Sequence, residues 1–157
     1  IVFPGVGAMR DCMQGMHEAG IDEVVRNAVF NKPVLAICVG MQALMQHSEE
    51  NGGTNALGIF KGAVKHFPEM AGLKVPHMGW NQVEDLKSDL MKGVTEGNHA
   101  YFVHSFYVPL CNEAIATTNY IQQFASALNK NNFYATQFHP EKSGDVGTKI
   151  LENFINL

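Results

Sequence analysis

A cysteine at the junction between an apolar run and a helical pattern is the first residue in this sequence that could do chemistry. Cys38 has small neighbours two positions before and two positions after it, Ala36 and Gly40. This spacing suits a nucleophile elbow, in which the two arms of a strained strand-to-helix turn approach closely. A helix beginning at Val39 would direct its positive end toward the sulfur and favour the thiolate. The pattern therefore predicts a nucleophile at Cys38, with a buried structural thiol as the alternative.

A histidine and a glutamate two residues apart could activate that cysteine. An apolar run ends at His139, and Pro140 and Glu141 follow it. If the chain is extended there, the two side chains lie on the same side, and the carboxylate can fix the imidazole tautomer and stabilise the imidazolium. The alternatives are a surface turn, or a metal site with His99 and His104. The metal site is disfavoured because the sequence has no HExxH motif and no closely spaced histidine pair.

A short glycine-containing loop, Pro4–Gly7, follows the first apolar run. It lacks the GxxxxGK and complete GxGxxG patterns of phosphate-binding loops, so by itself it indicates an ordinary turn. Beside a cysteine nucleophile, its backbone N–H groups could instead stabilise a developing oxyanion.

The elements that must position these residues alternate between strands and helices in the first third of the chain. The patterns predict a strand at residues 1–3, helices at Met9–Ala19 and Ile21–Phe30, a strand at Val34–Ile37 and a helix at Val39–His47. The uninterrupted apolar run at 34–37 is typical of a parallel strand that is buried on both faces. This alternation indicates an α/β sheet.

The rest of the chain is richer in strands. Strands are predicted at Gly62–Phe67, Gly79–Val83, Ala100–Val108, Glu113–Tyr120, Gln123–Leu128 and Phe133–Phe138, and a closing helix at Val146–Ile155. We therefore expect one α/β domain whose open sheet is partly parallel and partly antiparallel.

Composition narrows the function classes. The 157 residues suit one domain, with 46% apolar and 17% charged residues and a net charge of −4. This balance argues against a general nucleic-acid binder, and no apolar run approaches the ~20 residues that span a bilayer. The three cysteines form no CxxC pair, so we expect structural thiols at Cys12 and Cys111, a reducing compartment and a cytoplasmic location.

The motifs together resemble a known family. Cys38 in ICVGMQ, His139 and Glu141 in QFHPEKS, and the PGVG loop resemble the class I, or triad, glutamine amidotransferases. The segments VPHMGWN at 75–81 and YFVHS at 101–105 are similar to the glutaminase subunits of imidazole glycerol phosphate synthases. The resemblance covers essentially the whole chain, and Ala36 and Val39 depart from the family's frequent glycine and leucine.

The resemblance implies a flavodoxin-like fold, a mixed open sheet with helices on both faces and additional antiparallel strands. It implies hydrolysis of glutamine to glutamate and ammonia through a cysteine thioester, without a cofactor or metal. The ammonia would pass to a cyclase subunit with a (βα)8 barrel, in a heterodimer that makes imidazole glycerol phosphate and an aminoimidazole carboxamide ribotide for histidine biosynthesis. The implied partners include no nucleic acid and no membrane.

The resemblance also assigns roles to residues of this sequence. The catalytic residues would be Cys38, His139 and Glu141, and the oxyanion hole would involve Gly5, Val6, Gly7 and the N–H of Val39. Glutamine would contact Gln42, Glu50, Ser105 and Phe106, and the cyclase would contact Met78, Trp80, Asn81 and Lys142. The alternative for the segment around Trp80 is a strand with the indole in the core.

Several expectations remain open at this stage. The resembling family begins with a further strand and helix, so residues 1–157 are expected to lack that unit and to need it for solubility. Alternative functions are surface-sugar amidation, a role in an anthranilate or aminodeoxychorismate synthase, hydrolysis by a stand-alone cysteine enzyme, or docking without catalysis.

Overall fold

The computed structural model describes residues 1–28 and 32–157. Its strands are β1 (Val2–Gly5), β2 (Val34–Cys38), β3 (His47–Ser48), β4 (Thr54–Asn55), β5 (Ala63–His66), β6 (His77–Gln82), β7 (His99–His104), β8 (Phe106–Tyr107), β9 (Ala114–Tyr120), β10 (Gln122–Lys130) and β11 (Phe133–Thr136). Its α-helices are α1 (Met9–Glu18), α2 (Ile21–Ala28), α3 (Val39–Ala43) and α4 (Gly144–Ile155).

The largest sheet is mixed, as predicted. Its strand order is β1-β2-β11-β10-β9, with parallel pairing from β1 through β11 and antiparallel pairing from β11 through β9. Gly5 is the register partner of Cys38, and Thr136 is the partner of Ile37. Because parallel strands end at the same edge, the loop after β1, the turn after β2 and the segment after β11 meet there.

The central strand β2 is buried on both faces, which confirms the interpretation of its apolar run. Val34 and Ala36 belong to a core cluster that includes residues of α1 and α2, whereas Leu35 and Ile37 belong to a second cluster that includes residues of α4. Helices therefore cover both faces of the sheet.

Two smaller sheets flank this one. The first has the strand order β4-β3-β5-β8, and the second is the antiparallel pair β6-β7. In the second sheet His77 is opposite His104, and Trp80 is opposite Tyr101. Within the two described ranges, no helix combines the length and the apolar character needed to cross a bilayer.

The structure corrects two predicted elements. The helix predicted at Val39–His47 ends at Ala43, because the chain pairs instead with distant segments and His47 is a residue of β3. The strand predicted at Ala100–Val108 is interrupted at Ser105 and continues as β8 in a different sheet. The end of the helix predicted at Ile21–Phe30, with Val29, and the stop at Asn31 lie outside the described residues.

Candidate active site

Cys38 occupies a strained turn between β2 and α3. Its backbone has φ 57° and ψ −113°, a conformation that non-glycine residues rarely adopt. The turn packs tightly against β1: a Cβ on Gly40 would lie 2.3 Å from the Phe3 carbonyl oxygen, and a Cβ on Gly5 would lie 2.5 Å from the Gly40 nitrogen. The structure thus confirms the predicted elbow and its need for small residues.

The sulfur of Cys38 lies in a largely buried environment. It is 4.0 Å from the Val103 carbonyl oxygen and 3.9 Å from Nε2 of Gln137. Burial raises the pKa of the Cys38 thiol to about 11, and the Glu141 carboxylate also raises it, whereas the N–H of Val39 lowers it. The resting nucleophile is therefore the neutral thiol, and it needs a base during attack.

His139 and Glu141 form the expected base and orienter. Nδ1 of His139 lies 2.7 Å from Oε1 of Glu141. A carboxylate only accepts hydrogen bonds, so Nδ1 donates and Nε2 is left free to take a proton. Nε2 is buried and has no hydrogen-bond partner within the described part of the chain. This arrangement leaves His139 poised as a general base.

Backbone contacts fix the position of His139. Its N–H donates to the Tyr101 carbonyl oxygen at 2.9 Å. Ser143 secures the same junction, because its hydroxyl donates to the His139 carbonyl at 2.6 Å and accepts the Tyr101 N–H at 3.0 Å. Sequence reasoning did not single out Ser143, although a serine four residues after the histidine in HPEKS was visible.

A cavity of about 420 Å³ adjoins the candidate triad. Its lining includes most of the residues assigned by resemblance, namely Val6, Gly7, Cys38, Val39, Gln42, Glu50, Ser105, Phe106, His139 and Lys142. The remaining lining residues are Pro76, Val103 and His104. Of the predicted oxyanion-hole residues, Gly5 is the one absent from the lining, and it serves the close packing against Gly40 instead.

The expected substrate-contacting side chains are held by internal hydrogen bonds. Nε2 of Gln42 donates to the Phe106 carbonyl at 3.0 Å and to Oε1 of Gln137 at 2.9 Å. Oε2 of Glu50 accepts the N–H of Met9 at 2.7 Å and so holds its carboxylate at the start of α1. Glu50 thereby places a negative charge at the cavity, where it suits the ammonium group of an amino acid.

Gln137 is a second residue that sequence reasoning missed. Its side chain lies between Gln42 and the Cys38 sulfur and is fully buried. Buried amides are costly unless they are hydrogen-bonded. The signal was therefore available as a polar residue inside the apolar run that leads to His139.

The residues expected to face a partner lie mostly outside the cavity. Met78 and Trp80 are 64% and 57% exposed, which contradicts the alternative of a core indole. Trp80 packs edge-on against Tyr101, and the Lys142 ammonium lies 5.9 Å from the Tyr101 ring centroid. We call the exposed surface formed by Met78, Trp80, Tyr101 and Lys142 the Trp80 face; the cavity opens beside it at Lys142.

Asn81 departs from this grouping. Burial alternates along β6, so its side chain points away from the side that carries Met78 and Trp80. Its amide donates to Nε2 of His77 and to the Asn119 carbonyl oxygen. Asn81 therefore takes part in an internal hydrogen-bond network.

Among the described residues, no group of three or more His, Cys, Asp or Glu side chains is placed to hold a metal ion. Cys12 and Cys111 are partly buried against the core, and burial raises the pKa of each thiol. Neither cysteine lines the cavity beside Cys38.

Comparisons with known proteins agree with this geometry. The chain matches the family Glutamine amidotransferase class-I over residues 1–157. It is 65% identical to the imidazole glycerol phosphate synthase subunit HisH of Acinetobacter baylyi, covering 99% of this chain and 78% of that protein. It is 50% identical to the subunit HisH of Bacteroides fragilis, covering 100% of this chain and 79% of that protein.

Solved structures share the fold at lower sequence identity. A putative GMP synthase protein from Thermoplasma acidophilum superimposes with a TM-score of 0.71 at 21% identity, covering 99% of this chain and 70% of that chain. A protein described as a glutamine amidotransferase gives a TM-score of 0.68 at 19% identity, covering 98% and 77%.

Proposed function

The chain belongs to the class-I glutamine amidotransferase family, and on that premise we propose that it is the glutaminase subunit of an imidazole glycerol phosphate synthase. The observation that carries the proposal is the Cys38 elbow beside the His139–Glu141 pair, in a chain 65% identical to a HisH subunit. A cysteine, a histidine and a carboxylate in this order of contact form a nucleophile, a base and an orienter.

Acyl transfer to the cysteine is the first half of the reaction. The Cys38 sulfur attacks the side-chain amide carbon of glutamine while Nε2 of His139 takes the thiol proton. The resulting imidazolium is stabilised by Glu141 and then protonates the leaving nitrogen, which departs as ammonia. The N–H of Val39 and the loop at Val6 and Gly7 would hold the oxyanion, and one such donor contributes about 2.7–4 kcal/mol in comparable enzymes.

Hydrolysis of the thioester is the second half. His139 takes a proton from water, and the hydroxide attacks the glutamyl carbonyl. The C–S bond breaks, His139 returns the proton to the sulfur, and glutamate leaves. Gln42, Glu50 and the backbone at Ser105 and Phe106 would hold the amino-acid end of the substrate.

A cyclase subunit would receive the ammonia. The relatives named above are subunits of imidazole glycerol phosphate synthase, and the exposed aromatic and basic groups of the Trp80 face suit a protein partner. Docking there would cover the surface beside the cavity, so ammonia could pass to a (βα)8-barrel partner without entering bulk water. We place the heterodimer in the cytoplasm.

The other candidate functions are not favoured. The relatives named above carry the histidine-pathway synthase name rather than that of a sugar-amidation, anthranilate or aminodeoxychorismate enzyme. The complete Cys38–His139–Glu141 set argues against a docking fragment without catalysis.

The test reconstitutes the chain with the cyclase subunit of an imidazole glycerol phosphate synthase. We expect the mixture to form imidazole glycerol phosphate with glutamine as the nitrogen donor, and the cyclase alone to do so only with an ammonium salt. A Cys38→Ser variant should abolish glutamine use and leave ammonium use intact. If the wild-type chain binds the cyclase and gives no glutamine-dependent product, the proposal is wrong.

A further inference from the structure

Two buried histidines next to the cavity have no part in the mechanism above. Nδ1 of His104 lies 2.7 Å from the Phe106 carbonyl oxygen, and Nε2 of His104 lies 3.1 Å from Nδ1 of His77. Nε2 of His77 in turn lies 3.2 Å from Nδ2 of Asn81. These contacts form one continuous chain from Asn81 to Phe106.

The chain of hydrogen bonds runs in a single direction. A carbonyl oxygen only accepts, so Nδ1 of His104 must donate to Phe106. When the ring is neutral, Nε2 of His104 has no proton and accepts from Nδ1 of His77. Nε2 of His77 then accepts from the Asn81 amide, whose second hydrogen goes to the Asn119 carbonyl at 3.0 Å.

The surroundings keep both imidazoles neutral. His77 is stacked between Tyr120 and Phe102, with ring centroids 4.0 Å and 4.8 Å away, and Phe67 packs against both histidines. Burial lowers the pKa of His104 to about 3 and that of His77 to about 4. Each ring therefore carries one proton at neutral pH, as the one-directional chain requires.

The Phe106 carbonyl is where this chain meets the candidate site. It accepts hydrogen bonds from both His104 and Gln42, so both of its lone pairs are used within the protein. Gln42 also donates to Gln137, whose own amide points at the Cys38 sulfur. The orientation of the Phe106 carbonyl thus bears on the amide of Gln42 and on the packing beneath the nucleophile.

We propose that His77 and His104 are positioning residues, which as neutral Nδ1–H tautomers hold the Phe106 carbonyl and, through it, the side chain of Gln42 in place for glutamine. The kinetic part of this inference rests on the proposed glutaminase function, whereas the tautomers can be measured without it. Loss of the donor should weaken substrate binding more than it slows chemistry, because neither histidine contacts Cys38 or His139 by a hydrogen bond in the described chain.

Two substitutions at one position separate the donor from simple filling of space. An asparagine amide can occupy the place of Nδ1, so His104→Asn retains a donor to Phe106, whereas His104→Leu removes it. In the complex with the cyclase subunit, we expect His104→Leu to raise KM for glutamine about tenfold with kcat changed less than about threefold, and His104→Asn to restore most of the loss. His99→Leu, the same change at an exposed position of the same strand, is the matched control.

Nitrogen NMR of the free chain provides the second measurement. Two-bond proton–nitrogen spectra should show protonated Nδ1 and unprotonated Nε2 at both His77 and His104, with no titration between about pH 5.5 and 8, where an ordinary histidine titrates. An Nε2–H tautomer at His104, or titration of either ring in that range, overturns the proposal even if His104→Leu fails to fold. An unchanged KM in a folded His104→Leu variant overturns it equally. Absence of glutamine hydrolysis in the wild-type complex instead contradicts the proposed function, and the tautomers are then judged by NMR alone.

Discussion

At the residue scale, the protonation state of Cys38 determines how the reaction must begin. The residue types and their spacing predicted a nucleophile, and the N–H groups of the following turn predicted a tendency toward thiolate. The structure adds burial and a nearby carboxylate, which together outweigh the N–H of Val39 and raise the pKa of the thiol to about 11. Sequence could not foresee this balance, because it depends on how completely β7 and the segment after β11 cover the sulfur.

The raised pKa makes a prediction about pH. Below the pKa, the thiolate fraction and hence the alkylation rate of Cys38 by iodoacetamide should rise about tenfold per pH unit between about pH 7 and 9. The measurement uses a Cys12→Ser, Cys111→Ser chain, so that only Cys38 reacts. A rate that is already constant across this range would indicate a preformed thiolate and contradict the account.

The contact between Glu141 and His139 makes a second prediction. Glu141→Gln keeps the size of the side chain and removes its charge, so the imidazolium formed during attack loses its stabilising partner. We expect kcat for glutamine hydrolysis to fall about 100-fold or more, with little change in KM. Glu152→Gln, on the exposed side of α4, is the matched control; a kcat within twofold of wild type for Glu141→Gln would remove Glu141 from the mechanism.

At the element scale, the sequence was informative where the structure depends on local pattern. The apolar run of β2 and the small residues around Cys38 predicted the elbow correctly, because strand burial and close packing constrain those residue types directly. The short α3 could not be predicted in the same way. Its helical spacing continues to His47, but pairing of β3 with β4 and β5 involves residues 7 to 17 positions away and overrides the local preference.

The close packing of the elbow against β1 can be tested with two glycines. Gly40→Ala would place its Cβ 2.3 Å from the Phe3 carbonyl oxygen, so the elbow must shift. We expect a loss of about 1–3 kcal/mol in the free energy of unfolding, measured by urea denaturation, together with loss of glutamine hydrolysis. The matched control is Gly15→Ala, an exposed site in α1 with open space around the new Cβ, where stability should be unchanged or raised by up to about 1 kcal/mol. Equal stability of the two variants would mean that the turn is not tightly packed.

At the scale of the whole molecule, the Trp80 face joins residues from three separate parts of the chain. Sequence left two interpretations of Trp80 open, a core indole and a partner contact, because strand patterns alone do not show which side of a small two-stranded sheet is covered. The structure leaves the indole more than half exposed beside Tyr101 and Lys142. The hydrogen-bonded chain behind β6, by contrast, was invisible in the sequence, since it depends on the register that places His77 opposite His104.

The exposure of Trp80 predicts that binding and stability separate there. Trp80→Ala should weaken binding of the cyclase subunit by about 2 kcal/mol, which is roughly thirtyfold in Kd by calorimetry. The Tm of the free chain should change little, because the indole is not part of the core. Leu110→Ala, at a site of similar exposure outside the Trp80 face, should leave the Kd unchanged; a Trp80→Ala chain that loses Tm and keeps its affinity would contradict the assignment.

The central claim is that Cys38 is the nucleophile of a glutamine-hydrolysing subunit, and glutamate release tests it most directly. The measurement compares the rate of glutamate formation from glutamine by the wild-type chain and by Cys38→Ala, each assembled with the cyclase subunit. The account predicts steady release by the wild-type complex and loss of about three orders of magnitude or more in the variant, with the complex still formed. Undiminished glutamate release by Cys38→Ala would contradict it.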